Sequence, residues 1–401
     1  MPRIMYWNIE RFGVNKFLEN DWDNGGLGGY RFSFIVQTIV EQNPDIVVVV
    51  EVQTAANQGF GSIITDTSGG PAVQALLWEL RGKTKNPNWA VVPPLIISNA
   101  VYNEGIAVFF DSNKLAFQGP MVWNGAAAVT PVIDIPGVPY DANAGFWTRA
   151  LPPTDSGFQG RPQNTLAGKC AFYPANGGAL IRFPGGNARS IWLTKFATIN
   201  GRTLSLFSVH MPNGGPQRAG FAALAKVPEI VSPLQANEDR VVLGDFNVDM
   251  NQPAARDVFQ HLTGGPAVVA NYPVSALAYT QVFVSAGVNG LGTMLKDPRQ
   301  SDTTGAANYY GYGRGANGIM AGLDNAFVAR QGAVGVANNQ AVVNRVVGIG
   351  GSVGMSLSIP QIFEQAPIAD RTAWFQALPL YGKIGKTKGA SDHLPLRFDL
   401  P

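Results

Sequence analysis

Eight short apolar, β-prone runs are strung along this 401-residue chain, at 3–7, 46–52, 106–110, 191–197, 203–210, 240–244, 325–329 and 394–400. How they end limits the fold most. IVVVV stops at Glu51, VVLG at Asp245, LFSV at His210 and the first run at Asn8, while Asp324 opens DNAFVA and Asp392-His393 precedes LPLRF. A charged or imidazole side chain against a buried strand costs several kcal/mol unless it is paired or bound to metal. One such end is simply a strand reaching water. Six of them, from residue 8 to residue 393, put carboxylates, amides and two of the three histidines at one sheet rim if the strands lie side by side. The third histidine, His261 in DVFQHLTGG, reads as structural.

Between the runs lie helical patterns at 34–42, entered through Ser33 as N-cap and closed by Asn43-Pro44, at 73–81, and at 254–262, which Pro253 opens. The alternation is irregular and includes hairpin-like pairs. That favours a mixed, layered fold over a doubly wound parallel sheet. Stretches at about 131–187 and 285–318, and a Gly-, Val- and Asn-rich one at 331–358, read as long insertions on one scaffold, so a single domain over 1–401 is expected. GYGRGANG follows no clear strand and is a weak dinucleotide signal.

Composition narrows the function classes. A net charge of +2 excludes a strongly basic DNA-coating protein and an acidic tail protein. With 46% apolar and 14% charged residues, the chain should pack a core. The single cysteine, Cys170, excludes an internal disulfide framework and a Cys-based zinc site. No basic-then-apolar leader opens the chain and no apolar run approaches the roughly 20 residues of a membrane span, so a cytoplasmic protein, or one exported without a cleavable signal, is expected.

WNIE, VVVVEV, SVHMPN, GDFNVD, LDNAF and SDHLPL, in that order, resemble the motif set of the endonuclease/exonuclease/phosphatase superfamily. The resemblance implies an α+β fold, a four-layered αββα sandwich with the active site at one edge of paired sheets. Within it, YNEGIAVFF and RSIWLTKF resemble segments of the deoxyribonuclease I branch. They imply Glu104 as the carboxylate partner of His210, Asp324 as that of His393, and Arg189 as a contact to substrate phosphate. His210 counts against the exonuclease III branch. Inositol polyphosphate phosphatases, sphingomyelinases and cytolethal distending toxin subunits stay open as relatives. Glu10 stands where many members carry an aspartate near the metal.

The chemistry fits those residue types. Asn8 and Glu51 offer hard oxygens suited to Mg²⁺, with Mn²⁺ or Ca²⁺ as alternatives, and Asp392 completes or supports that cluster. One imidazole takes a proton from water while the other gives one to the leaving oxygen; analogy makes His393 the base and His210 the acid. Asp245 orients the water or holds a second metal. Asn247 donates to the phosphate, with a plain Asx turn as the other reading of Asp245-Phe246-Asn247.

Lys383, Lys386 and Lys388 precede the SDH motif and suit a polyanion. Tyr309, Tyr310, Tyr312 and Arg314 suit base stacking or the packing of an insertion. The expectation is a metal-dependent phosphodiesterase that nicks DNA. The rivals are a phosphatase or phospholipase C-type hydrolase acting on inositol phosphates, phosphoinositides or sphingomyelin, for which Phe146-Trp147 is the one lipid-facing candidate, and a silent binding scaffold.

Overall fold

The computed structural model describes residues 1–16, 30–54, 64, 68–97, 104–118, 189, 191–211, 224–225, 227–248, 253–264, 277–284, 293, 322–331, 338–343 and 390–401, with short strand pairs between 121 and 180. Its centre is built from strands that are apolar on both faces. β1 (Arg3–Phe12) and β2 (Ile46–Gln53) run parallel, with Tyr6 beside Val48 and Asn8 beside Val50. Residues 46–50 of β2 have no exposed surface, which is what a continuous β-branched run achieves only when covered from both sides.

Around this pair a six-stranded mixed sheet forms. β3 (Trp89–Ile96) is its outer edge and pairs with β4 (Glu104–Asp111), which pairs with β2. The second sheet is seven-stranded and pairs β7 (Ile191–Thr198), β8 (Thr203–His210) and β9 (Glu238–Asp245), with β8 and β9 parallel. β5 (Leu115–Phe117) and β6 (Lys169–Ala171) share the free side of β7. β10 (Thr280–Gln281) borders β11 (Asp324–Arg330), which runs antiparallel to β9. On the first sheet, β12 (Asn338–Val342) and β13 (Leu396–Asp399) extend the β1 side.

The layers follow from which rings meet. Phe110 of the first sheet packs on Phe196 of the second, centroids 5.1 Å apart, so the two sheets stack face to face. On the far side of the first sheet Trp7 meets Phe34 of α1 (Tyr30–Gln42) edge-on at 6.3 Å, beside α2 (Gly69–Thr84). On the far side of the second, Phe327 meets Phe259 of a helix spanning Pro253–Thr263 at 5.4 Å. The result is an α+β, four-layered αββα sandwich. No helix among the described residues is long and apolar enough to cross a membrane.

Three local readings change. Ser33 lies inside α1, which starts at Tyr30, so it is no cap. β3, WAVVPPLI with its two prolines, is not among the runs read from the sequence. It survives as an edge strand, where a missing N–H costs no ladder bond, and its register with β4 shifts between Val92 and Leu95. Asn338–Val342, within a stretch expected to be decoration, is a strand of the first sheet. Lys383, Lys386, Lys388, Tyr309, Tyr310, Tyr312, Arg314, Phe146 and Trp147 lie outside the described residues.

Candidate active site

Strand alternation alone would aim Glu51 at the helices. Asn8 and its neighbour Val50 face the second sheet, so the next residue of β2 faces away. Two irregularities reverse this. The β1–β2 register shifts between Asn8 and Phe12, and the β2–β4 register shifts between Val49 and Val52. Within that bulge Glu51 takes φ 60°, a left-handed backbone unusual for glutamate, and its carboxylate turns back to the inter-sheet rim. There Asn8 Nδ2 donates to Glu51 Oε1 at 3.0 Å and to Asp245 Oδ2 at 3.1 Å, and the Arg11 N–H donates to Glu51 Oε2 at 3.3 Å. One amide thus ties the ends of β1, β2 and β9 together.

The imidazoles come from opposite sides. His210 ends β8 and its Nδ1 sits 2.8 Å from Glu104 Oε1 at the start of β4. His393 precedes β13 and its Nδ1 sits 2.7 Å from Asp324 Oδ2 at the start of β11. With each Nδ1 engaged, each Nε2 is left to face the site, and both converge on Asp245 Oδ2, at 3.5 Å for His210 and 3.7 Å for His393. His210 Nε2 is also 3.8 Å from Glu51 Oε1, and His393 Nε2 is 3.9 Å from Asp392 Oδ1. All the predicted residues between 8 and 393 that are described therefore meet at one rim, except that Arg189 and Asn247 turn their side chains toward protein partners.

Arg189 Nε pairs with Glu104 Oε1 at 2.9 Å, and its Nη1 donates to the Met211 carbonyl at 2.6 Å. Asn247 Nδ2 donates to the same carbonyl at 2.6 Å, while its N–H donates to Asp245 Oδ1 at 2.8 Å in an Asx turn, with Asn247 at φ 51°. Here Arg189 braces Glu104, and the GDFN turn braces Asp245. Gly244 of that turn is required: a Cβ there would lie 2.0 Å from the Val209 carbonyl oxygen, so no larger residue lets β8 and β9 close up at the site. His261 lies on the Pro253–Thr263 helix and belongs to neither imidazole pair.

Burial and charge act against each other throughout. Burial pulls both imidazoles down, but Glu104 raises His210 above its ordinary value, and Asp324 raises His393 well above it. Burial pushes the Glu51 carboxyl up, yet His210, the Asn8 amide and His393 together hold it below the ordinary range. For Asp245 burial wins, and its carboxyl is raised.

Three residues at the rim escaped the sequence reading. Ser391 Oγ donates to the Asn8 carbonyl at 2.6 Å and accepts from the His393 N–H at 3.0 Å, latching the SDH segment to β1. Trp7 Nε1 adds a bond to the His393 carbonyl at 2.8 Å. Tyr6, two residues before Asn8 on the same face, buries a hydroxyl that makes no hydrogen bond among the described residues. Burial drives its phenol far up, and Asp324, Asp245 and Glu51 add to this. Lys16 is buried in the turn Val14–Lys16. The spacing of apolar runs marks strand ends, and none of these residues is one.

Among the described residues, the imidazole and carboxylate atoms grouped closely enough to ligate a metal fall into two sets, Glu51, Glu104 and His210, and Asp245, Asp324 and His393, each within 4.8 Å. In both the imidazole Nδ1 is already paired with a carboxylate, which suits proton transfer better than ligation. A hard divalent cation fits beside Asn8 and Glu51. Asn8 Oδ1 is a buried acceptor with no hydrogen bond among the described residues, next to a carboxylate held ionised.

No family model matches the chain, and no curated protein matches it. Solved structures similar to it include an endonuclease/exonuclease/phosphatase family protein from Leptotrichia buccalis, at 13% identity and TM-score 0.48, covering 100% of both chains. Another, from Bacteroides vulgatus, shows 14% identity and TM-score 0.46, covering 100% of this chain and 99% of that one. The human nocturnin catalytic domain with a bound sulfate shows 13% identity and TM-score 0.44, covering 100% and 94%.

Proposed function

We propose that this protein is a divalent-metal-dependent phosphodiester hydrolase, and that it nicks DNA. One observation carries the reading: two imidazoles, each braced at Nδ1 by a carboxylate, point their Nε2 atoms at the same Asp245 oxygen from 3.5 and 3.7 Å. A pair of titratable groups set symmetrically about one point suits a reaction that takes one proton and gives another. Hydrolysis of a phosphodiester by water is such a reaction. A binding scaffold has no use for two braced imidazoles.

In this reading His393 accepts the proton of the attacking water, and Asp324 steadies the imidazolium that forms. Asp245 orients the water. His210, whose imidazolium form Glu104 favours, gives its proton to the departing oxygen, and Arg189 keeps Glu104 in place. Asn8 and Glu51 would hold the cation, with Asp392 beside them. When bound, Mg²⁺ neutralises charge on the nonbridging phosphate oxygens. Asn247, whose N–H donates to Asp245 and whose amide donates to the Met211 carbonyl, supports the turn that carries Asp245. The protein as a whole would then act as one domain on a nucleic-acid substrate.

Supercoiled plasmid tests the reading. With Mg²⁺ the protein is expected to give open circles, EDTA to stop it, and His393→Ala to lower the rate by about 1,000-fold, the middle of the range for a proton-transfer residue. Intact plasmid beside inorganic phosphate released from a phosphoinositide or another monoester would replace the nuclease reading with a phosphatase one.

A further inference from the structure

The carboxylates behind the two imidazoles are held unequally. Glu104, the partner of His210, is itself gripped by Arg189 at 2.9 Å. Asp324, the partner of His393, is not gripped in that way. Its Oδ2 lies 2.7 Å from His393 Nδ1, and its buried Oδ1 makes no hydrogen bond among the described residues. The aim of this carboxylate therefore depends on its backbone. Asp324 opens β11 ahead of the ladder with β10, which covers Phe327 and Val328. Toward β9, the Leu323 carbonyl accepts from the Phe246 N–H at 2.9 Å. The N–H groups of Leu323 and Asp324 need partners too, because a buried backbone donor is rarely left without one. Both go to a single atom, Thr293 Oγ1, at 3.1 and 3.4 Å. A hydroxyl oxygen has two lone pairs and can accept both. The Thr293 carbonyl meanwhile accepts from the N–H of Leu394, next to His393, at 2.6 Å. One residue thus grips the backbone on both sides of the Asp324–His393 contact and closes a ring of hydrogen bonds through it. Thr293 has no exposed surface, although it stands within 285–318, a stretch that reads as an insertion.

We propose that Thr293 is a positioning residue of this site, setting the Asp324 carboxylate against His393. The assignment rests on the phosphodiesterase reading, in which His393 takes the proton of the attacking water. A carboxylate with one oxygen unengaged is held in line only as well as the chain beneath it, and a misplacement of about 1 Å costs on the order of 100-fold in rate. Arg189 braces one partner with a charge directly on its carboxylate. Thr293 braces the other with a neutral oxygen on its backbone, leaving the Asp324 carboxylate to the imidazole.

The test is proton NMR of the metal-free protein in EDTA, alongside plasmid nicking. A buried imidazole Nδ1–H donated to a carboxylate resonates far downfield, so wild type should show two such signals, one lost in His393→Ala and the other in His210→Ala. Thr293→Val keeps the side-chain shape and removes the oxygen. It is expected to abolish the His393 signal, to keep that of His210 as a control on the fold, and to lower kcat for nicking about tenfold with KM within about twofold. Thr293→Ser retains the oxygen and should restore the signal and most of kcat. If Thr293→Val does not fold, Thr293→Ala is read in its place. A His393 signal unchanged in the variant, its loss together with that of His210, no recovery in Thr293→Ser, no signal assignable to His393 in wild type, or folding by neither variant would each overturn the assignment. The expected change of signals in a protein whose wild type nicks no plasmid sinks the proposed activity and leaves the positioning of the pair standing. Wild-type nicking, with signal and kcat unmoved in Thr293→Val, does the reverse.

Discussion

The two ends of β9 carry the same residue type in opposite circumstances. Asp239 is the second residue of the strand and Asp245 its last, about 20 Å apart at ~3.3 Å per residue. Asp239 is gripped by Arg202 through both oxygens at 2.7 and 2.8 Å, and by Arg330 at 3.2 Å. Beside it Glu238 is held by Arg240 at 2.8 and 3.0 Å and by Ser205 at 2.8 Å. Elsewhere at the same end Arg3 pairs with Asp399, and Lys114 with Asp45. At the other end Asp245 meets two imidazoles and an amide. The one permanent cation paired there among the described residues, Arg189, is committed to Glu104. Carboxylates that only hold the fold are matched by guanidinium or ammonium groups. Those at the rim are matched by groups that titrate, leaving an anionic cleft that a metal and its substrate complete.

The comparison breaks most visibly if the two aspartates are exchanged for neutral residues. Asp245→Asn is expected to lower plasmid nicking by about 1,000-fold while leaving the melting temperature in EDTA unchanged or higher, since burial already penalises that charge. Asp239→Ala is expected to do the opposite. It strands two arginines at a nearly buried position and should cost about 3 kcal/mol in urea unfolding, with kcat retained. Equal effects of the two substitutions on stability would erase the distinction.

The pH dependence sharpens it. His210 and His393 are both held above the ordinary imidazole value. Their contribution to the stability of the metal-free protein is thus fully present below about pH 6.5 and is lost as the pH rises through the folded values. Asp245, raised by burial, pulls in the same direction. At the far end the order inverts. Burial pushes Glu238 up, but Arg240 and the Gln235 N–H hold it below its ordinary value, so its contribution is present above about pH 4.5 and is lost as the pH falls further. Melting temperatures in EDTA should therefore fall as the pH rises above about 6.5. Mg²⁺ at 100 times its Kd should return about 2.7 kcal/mol at pH 8, and Glu51→Gln should abolish that gain. The smallest effect is expected from Tyr6→Phe. It removes a buried hydroxyl without a partner and should raise stability by at most about 1 kcal/mol, with nicking altered less than about threefold.

Much of this was legible in the sequence because it follows from where apolar runs stop. Asn8, Glu51, His210, Asp245, Asp324 and His393 each end or begin a run, and a polar residue there has either water or a site to face. Lys16, Tyr6 and Ser391 were not legible. A turn lysine, a strand tyrosine and a loop serine look ordinary until neighbouring elements bury them. Nor does a proline pair show that WAVVPPLI is an edge strand, since only sheet position decides whether a missing N–H matters.

The chain's linear order determined the strands that must be covered on both faces and the charged residues bound to their ends, because hydrophobic periodicity and the cost of burying charge are local quantities. Packing decided the rest. Alternation would have sent Glu51 to the helices, and only the shifted registers of β1, β2 and β4, with a left-handed backbone at that residue, return it to Asn8. Which carboxylate braces which imidazole is likewise a matter of contacts spanning 106 and 69 residues, between His210 and Glu104 and between His393 and Asp324. Such pairings depend on how two sheets stack, and no stretch of sequence carries that information alone.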